Sequence, residues 1–310
     1  TLDRSSAASD VYKRQASKGY CMFFLKAHGT QNDFIVLPDP ECTVRLTASS
    51  VAHLCDRRQG IGADGVIRLS RARDLLSAGE LMELPEGVDP DEWFMDYRNA
   101  DGSCAEMCGN GARVCAHVLL TQGLLPEDTT QGAFGTRAGR KKFRVYGLSH
   151  DGLIADVEIA MGKVDLRGIS SADFAGRHIA GLALSVGNPH LACVLPGLTV
   201  EQLASMDFRH APGIDPEMFP AGTNVEVLTP LVDGHVTMRV YERGVGETKS
   251  CGTGTVASAF AALADAGVEN GTVSVSVPGG ELQVKFTPDN SFLRGPSVIV
   301  AEGEYFEPYA

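Results

Sequence analysis

The 310-residue sequence lacks any apolar run approaching the roughly 18 residues that a membrane-spanning helix needs, and its start lacks the apolar core of a secretory signal. It also lacks a basic excess. Twenty-seven Lys and Arg against 39 Asp and Glu give a formal charge of −12, which leaves no basic face for non-specific nucleic-acid or membrane binding. Its eight cysteines (Cys21, Cys42, Cys55, Cys104, Cys108, Cys115, Cys193 and Cys251) include no second CxxC-type pair. Their sparse, uneven spacing excludes a small disulfide scaffold and argues against structural zinc. These absences point to a cytoplasmic protein with reduced thiols and a small-molecule partner.

What is present suits a soluble globular chain of two domains, with 44% apolar and 21% charged residues. Residues 1–21 stand apart: they are polar, aperiodic, and carry four basic against two acidic side chains. Their piece "SSAASDVYKRQ" resembles translated adapter read-through, so a non-native or disordered leader is expected, with Met22 as the start.

Beyond it, "MFFLKAHGTQNDFIVLPD" predicts a hairpin around Gly29 to Asp33. "TASSVAHLCDRRQG" predicts a helix capped near Thr47 or Ser49, stopped at Gly60, and burying Val51, Leu54 and Cys55. Residues 70–92 are charged, hold two prolines and read as a surface insertion before the strand "WFMDYRN". Helices follow Cys108 and Cys251, and strands fill most of the rest. The order of strands, helix, strands, helix, strands is an α+β pattern, not regular βαβ winding.

The two halves share three features in the same order. Asparagine precedes an apolar run and "LP" at "NDFIVLP" and at "NPHLACVLP"; a glycine-led turn follows at "GIGADGV" and "AGTNVEV"; a cysteine then stands before glycines at "EMCGNGARVCA" and "KSCGTGTVASA". Two related domains are expected.

A glycine after the cysteine lets backbone approach a ligand, and a helix start offers N–H groups and partial positive charge. Such a perch suits a carboxylate and favours thiolate over thiol, lowering a cysteine pKa from about 8.5 toward neutrality. One perch alone is more often a packing feature. Two suggest proton exchange at a carbon beside a carboxylate, one sulfur removing a proton and the other supplying one to the opposite face. Thiol redox chemistry is the alternative that the cysteines themselves leave open.

The motifs "HGTQNDF", "NADGSCAEMCGNGAR", "GNPH", "GTNVEV" and "ERGVGETKSCGTGT" occur in an order that resembles the diaminopimelate epimerases, from about Met22 to the C-terminus. The resemblance implies two pseudo-symmetric domains, each a mixed β-barrel-like sheet around a central helix. Their expected bounds are 22–150 plus 296–310, and 151–295. It implies an isomerase, free of pyridoxal phosphate or metal, that interconverts LL-2,6-diaminopimelate and the meso isomer on the route to lysine and peptidoglycan precursors, with homodimer formation as a further expectation.

By the same resemblance Cys108 and Cys251 are the acid–base pair. Asn32, Asn99, Asn188, Asn224 and Arg243 would hold the substrate, mostly its unreactive end, while Gly109, Asn110, Gly252 and Thr253 would grip the reacting end. His190 and Glu242 would adjust the two thiols, Glu242 also touching substrate. Many family members carry glutamine where Gly65 stands here. Alternatives are a proline or hydroxyproline racemase-like enzyme, disfavoured by "MCGNG" in place of a histidine-containing "MCGHG", and a non-catalytic amino-acid-binding protein. Cys42, Cys55, Cys115 and Cys193 read as apolar fillers.

Overall fold

The structure, a computed structural model, describes residues 21–306. Most of the leader therefore lies outside the described residues. Cys21, however, opens the strand Cys21–Gly29, whose first partner is Phe306. Two compact units divide the chain. One comprises the residues up to Gly29, Asp33–Glu158 and those from Pro296 onward; the other comprises Thr30–Asn32 and Ile159–Gly295.

In the first unit, Asn32–Pro38 runs parallel to Gly65–Arg71, which is antiparallel to Trp93–Asn99. That strand is parallel to Gln131–Thr136, which turns back antiparallel into Gly139–Leu148. Parallel neighbours need a crossover, and a helix is the compact way to make one. Helix α1 (Ala48–Cys55) lies in the first parallel connection, with a second helix, α2 (Ala72–Ser77), after it, and α3 (Gly109–Thr121) lies in the next parallel connection.

The second unit repeats this order. Pro189–Val194 is parallel to Asn224–Leu228, which is antiparallel to His235–Glu242; that strand is parallel to Thr272–Val277, which turns back antiparallel into Gly280–Thr287. Its crossovers are α4 (Val200–Ser205) and α5 (Gly252–Asp265). Even the caps correspond: Thr47 and Ser50 form a capping box on α1, as Thr199 and Gln202 do on α4. Each unit is thus a mixed barrel-like sheet wrapped on one central helix.

The central helices are buried nearly all round, from Gly109 to Leu119 in α3 and at all but Phe260 from Gly252 to Leu263 in α5. Small residues make that possible. A Cβ on Gly111 would meet Met95 Cε at 2.9 Å and Ile67 Cδ1 at 3.1 Å, so the strands close directly on the helix backbone.

Three expectations are corrected. Helix α1 ends at Cys55, five residues before Gly60, because the Asp56 carboxylate accepts from Arg58 and Gln59 N–H and starts a turn. Residues 70–92 are more than a surface insertion, since Leu75, Leu81 and Val88 pack with Ala72 and Phe94. The same segment sends Glu80 to Arg68 and Arg98, which also hold the fully buried Asp96. Gly65 does not lie in a turn but opens the strand Gly65–Arg71.

Candidate active site

Cys108 and Cys251 are the N-cap residues of α3 and α5, with backbone angles of −132°, 121° and −121°, 114°. Each sulfur stands where a Ser or Asp oxygen usually caps a helix. Cys108 Sγ accepts from Gly111 N–H at 3.5 Å, and Cys251 Sγ from Gly254 N–H at 3.4 Å. The carbonyls of the two cysteines accept from Ala112 and Thr255 N–H, both at 2.8 Å. In each helix the first two amides thus precede the hydrogen-bond ladder, at Gly109 and Asn110 and at Gly252 and Thr253, where the helix dipole is positive.

The two perches differ in surroundings. Cys108 is half-buried and Cys251 is buried. Near Cys108 the Asn110 Oδ1 accepts from Arg113 Nη2 at 2.9 Å, and both residues are fully buried. Arg113 also donates to the carbonyls of Gly109 and Pro296. Burial pulls its pKa down to about 10, while Cys108 and Asp156 oppose that shift. A Cβ on Gly29 would meet Arg113 Nη2 at 2.9 Å, so the glycine before the hairpin turn makes room for this bolt. Asn99 ends its strand and donates from Nδ2 to Ser103 Oγ at 3.0 Å. Asn32 opens the second hairpin strand after Thr30 and Gln31, which both take positive φ, 50° and 62°.

Around Cys251 the expectation of a lowered thiol pKa is reversed. Burial pushes it well above the ordinary value, and Glu242 and Glu226 push it further. Hydrogen bonds from Thr253 and Gly254 pull weakly the other way. At this perch the low-dielectric surroundings and two carboxylates outweigh the helix start and hold the thiol pKa above its ordinary value. Thr253 Oγ1 lies 3.5 Å from it. Glu242 accepts a short hydrogen bond from Thr248 Oγ1.

The structure brings Asn188, His190, Asn224 and Arg243 together in the second unit. His190 and Asn224 are register partners on parallel strands. His190 Nε2 is 2.9 Å from Asn188 Oδ1, and Asn224 Oδ1 accepts from Arg243 N–H at 2.9 Å. Arg243 Nη1 donates to Ala221 O at 3.1 Å. One participant was missed in the sequence: Glu226, whose Oε1 is 2.7 Å from His190 Nδ1 with both side chains fully buried. It stands in "NVEV", an alternation that reads as a solvent-facing charge.

Gly65, at the position where the family resemblance leads one to expect glutamine, has no room for a side chain. A Cβ there would lie 2.5 Å from Arg98 O and 2.7 Å from Tyr97 Cε2, so Tyr97 occupies the space.

Comparisons with known proteins bear on the family and the fold. The family model described as diaminopimelate epimerase matches residues 24–166 and 182–305. The chain is 54% identical over 288 residues to the diaminopimelate epimerase of Mycobacterium ulcerans, covering 93% of this chain and 98% of that one. It is 56% identical to that of Corynebacterium aurimucosum, covering 91% and 99%. Among solved structures, a hydroxyproline epimerase from Agrobacterium vitis shares the fold, with a TM-score of 0.61, 15% identity and 94% of each chain covered. A PhzF-family phenazine biosynthesis protein from Bacillus anthracis does so as well, with a TM-score of 0.62, 14% identity, and 93% and 99% covered. With two cysteine-capped helices in repeated units and a family match over most of its length, the chain belongs to the diaminopimelate epimerase family.

Proposed function

We propose that this chain is a cofactor-independent isomerase that interconverts LL-2,6-diaminopimelate and meso-diaminopimelate, serving lysine and peptidoglycan precursor synthesis. The observation that carries this reading is the pair of cysteine N-caps, Cys108 and Cys251, equivalently placed in the two units.

In the proposed reaction the Cys108 thiolate takes the α-proton and the Cys251 thiol delivers its own proton to the other face of the carbon. One thiolate and one thiol are present before and after, so the reverse reaction uses the same groups in exchanged roles. The amides of Gly109 and Asn110, and of Gly252 and Thr253, would bind the reacting carboxylate and the charge that builds on it. Asn32, Asn99, Asn188, Asn224 and Arg243 would recognise the distal amino-acid end, Glu242 an ammonium group, and His190 and Glu242 would tune the thiols. The raised pKa of Cys251 supports its role as the resting acid.

The finer setting belongs to the same proposal. Eight free thiols support a reducing cytoplasm. Exposed apolar Tyr146, Leu148, Ile154 and Val300 support self-association, which sedimentation would measure as a homodimer.

The test is incubation with LL-diaminopimelate in deuterated water. Deuterium should enter the α-carbon as the meso isomer accumulates. Exchange into L-proline instead would favour the racemase reading, and exchange into neither would leave only a binding protein.

A further inference from the structure

Glu226 is the middle residue of the strand Asn224–Leu228 and is fully buried. Its Oε1 faces His190 Nδ1 at 2.7 Å, and the far nitrogen of that ring lies 2.9 Å from Asn188 Oδ1. The same Oε1 would be only 2.6 Å from a Cβ on Gly254, so glycine at the third position of α5 is what admits the carboxylate behind the helix start. Its other oxygen, Oε2, has no hydrogen-bond partner among the described residues. Leaving a buried polar atom so is costly, and such costs concentrate where a site needs charge or orientation.

We infer that Glu226 is a positioning residue of this site, holding the His190 ring toward Asn188 on one side and setting a fixed negative charge behind the Cys251 helix start on the other. The inference rests on the two-thiol reading above. With Nδ1 on Glu226 Oε1 and Nε2 on Asn188 Oδ1, both of them acceptors, the His190 ring is held in one orientation, as a buried carboxylate does for a histidine. On the other side, a standing carboxylate charge disfavours a second negative charge on Cys251 and so keeps that sulfur protonated until substrate arrives.

The other groups around Cys251 do not supply this. Glu242, at the end of His235–Glu242, adds charge of the same sign and accepts from Thr248 Oγ1, whereas the carboxylate on His190 Nδ1 is that of Glu226. The strand Thr272–Val277 carries no charged residue. Gly280–Thr287 turns Leu282, Val284 and Phe286 inward and keeps Glu281 and Lys285 exposed, and Arg177 and His178 of the strand Arg177–Ser185 are exposed as well. On Pro189–Val194 the buried titratable groups are His190 itself and Cys193, whose thiol burial pushes up to about 12.

The experiment is NMR of the full chain labelled with 13Cβ-cysteine and 15N-histidine, in wild type and Glu226→Gln. Cys251→Ser and His190→Asn serve to assign the two signals. In Glu226→Gln the Cys251 thiol should titrate about one pH unit lower, a tenfold change in its ionisation constant, and the His190 Nδ1 shift should move. Deuterium exchange into diaminopimelate should slow about ten- to hundredfold, the range for losing a group that orients an active side chain, chiefly in kcat. The basic limb of its pH profile should move down with the thiol.

Glu226→Asp keeps the charge but withdraws it from the ring, so it should change the His190 signal and leave the Cys251 titration near wild type. Unchanged Cys251 and His190 signals in Glu226→Gln, with only the melting temperature lowered, would overturn the inference. A wild type that exchanges no diaminopimelate would instead defeat the functional reading, and the NMR titration would still decide the role of Glu226.

Discussion

Thr30 Oγ1 and Ser250 Oγ, 220 residues apart in sequence, meet at 2.7 Å in a buried hydroxyl pair. Ser250 immediately precedes Cys251, and Thr30 sits at the hairpin tip with φ 50°. A backbone held at this point cannot let the sulfur drift from the helix axis. Ser250→Ala is expected to cost about 1 kcal/mol, the worth of one such bond, as a shift of the urea midpoint. It should also lower turnover more than that loss of stability explains, because misplacing a reacting group is expensive. Turnover equal to wild type would show that the pair only stabilises.

Alanine at either N-cap removes an acid or base without opening a cavity of consequence. Cys108→Ala and Cys251→Ala should each lower deuterium incorporation by at least about 10²–10⁴-fold, the range for a lost general acid or base. Circular dichroism should stay unchanged. Appreciable inversion of configuration by either variant would refute a two-thiol exchange.

His117 is fully buried, with Nδ1 3.0 Å from Ser297 Oγ and Nε2 3.1 Å from Gly152 O. Burial lowers its pKa to about 4 from 6.5, the Gly152 carbonyl opposing. The unfolded chain therefore binds a proton in this window that the native one refuses. Stability from this group is complete above pH 6.5 and disappears as pH falls toward 4, by roughly 3 kcal/mol. Urea midpoints between pH 7 and 4 should fall less steeply in His117→Gln than in wild type; parallel slopes would disprove the assignment.

Asp96 is fully buried between Arg68 Nη2 at 2.5 Å and Arg137 Nη2 at 2.7 Å. Burial pushes its carboxyl pKa up, and Arg68, Arg137 and Arg98 together pull it below the ordinary range. Asp96→Asn leaves buried guanidinium groups uncompensated and should cost about 3–5 kcal/mol. Glu80→Gln, at a partly exposed member of the same cluster, should cost much less. Equal losses in denaturant titrations would mean that burial does not govern this network.

Gly65 meets Arg98 O and the Tyr97 ring where a side chain would begin. Gly65→Gln should lower stability by about 1–3 kcal/mol through overpacking. The double variant Gly65→Gln, Tyr97→Ala should recover part of that loss, and additive losses would show that the ring is not the obstacle.

Much of this site is legible along the chain because its parts are local. A cysteine, two glycines and a helical run are contiguous, so a helix starting after each cysteine, and Cys115 as an apolar filler inside the first, follow from spacing. The strand Trp93–Asn99 and the buried face of α1 are read for the same reason. Glu226 and Arg68 are not, since each looks like a charge on a solvent face. What buries them is a partner on a neighbouring strand: His190, 36 residues before Glu226, and Asp96, 28 residues after Arg68. Register brings such pairs together, and local pattern does not encode register. The raised pKa of Cys251 was hidden likewise, because the helix start is written beside the sulfur and the opposing carboxylates are written elsewhere.

The cysteines set deep in the two units have a chemical corollary. Burial raises the pKa of Cys55 to about 11 and of Cys193 to about 12, lifts Cys115 well above its ordinary value and raises Cys42 as well. At neutral pH these sulfurs hold almost no thiolate, so electrophiles and peroxides pass them by. Exposed Cys104 and half-buried Cys108 stand four residues apart and are accessible, as is half-buried Cys21 at the start of the first strand. A limiting dose of iodoacetamide should therefore label Cys104, Cys108 and Cys21 first, with the interior thiols serving as an unlabelled background.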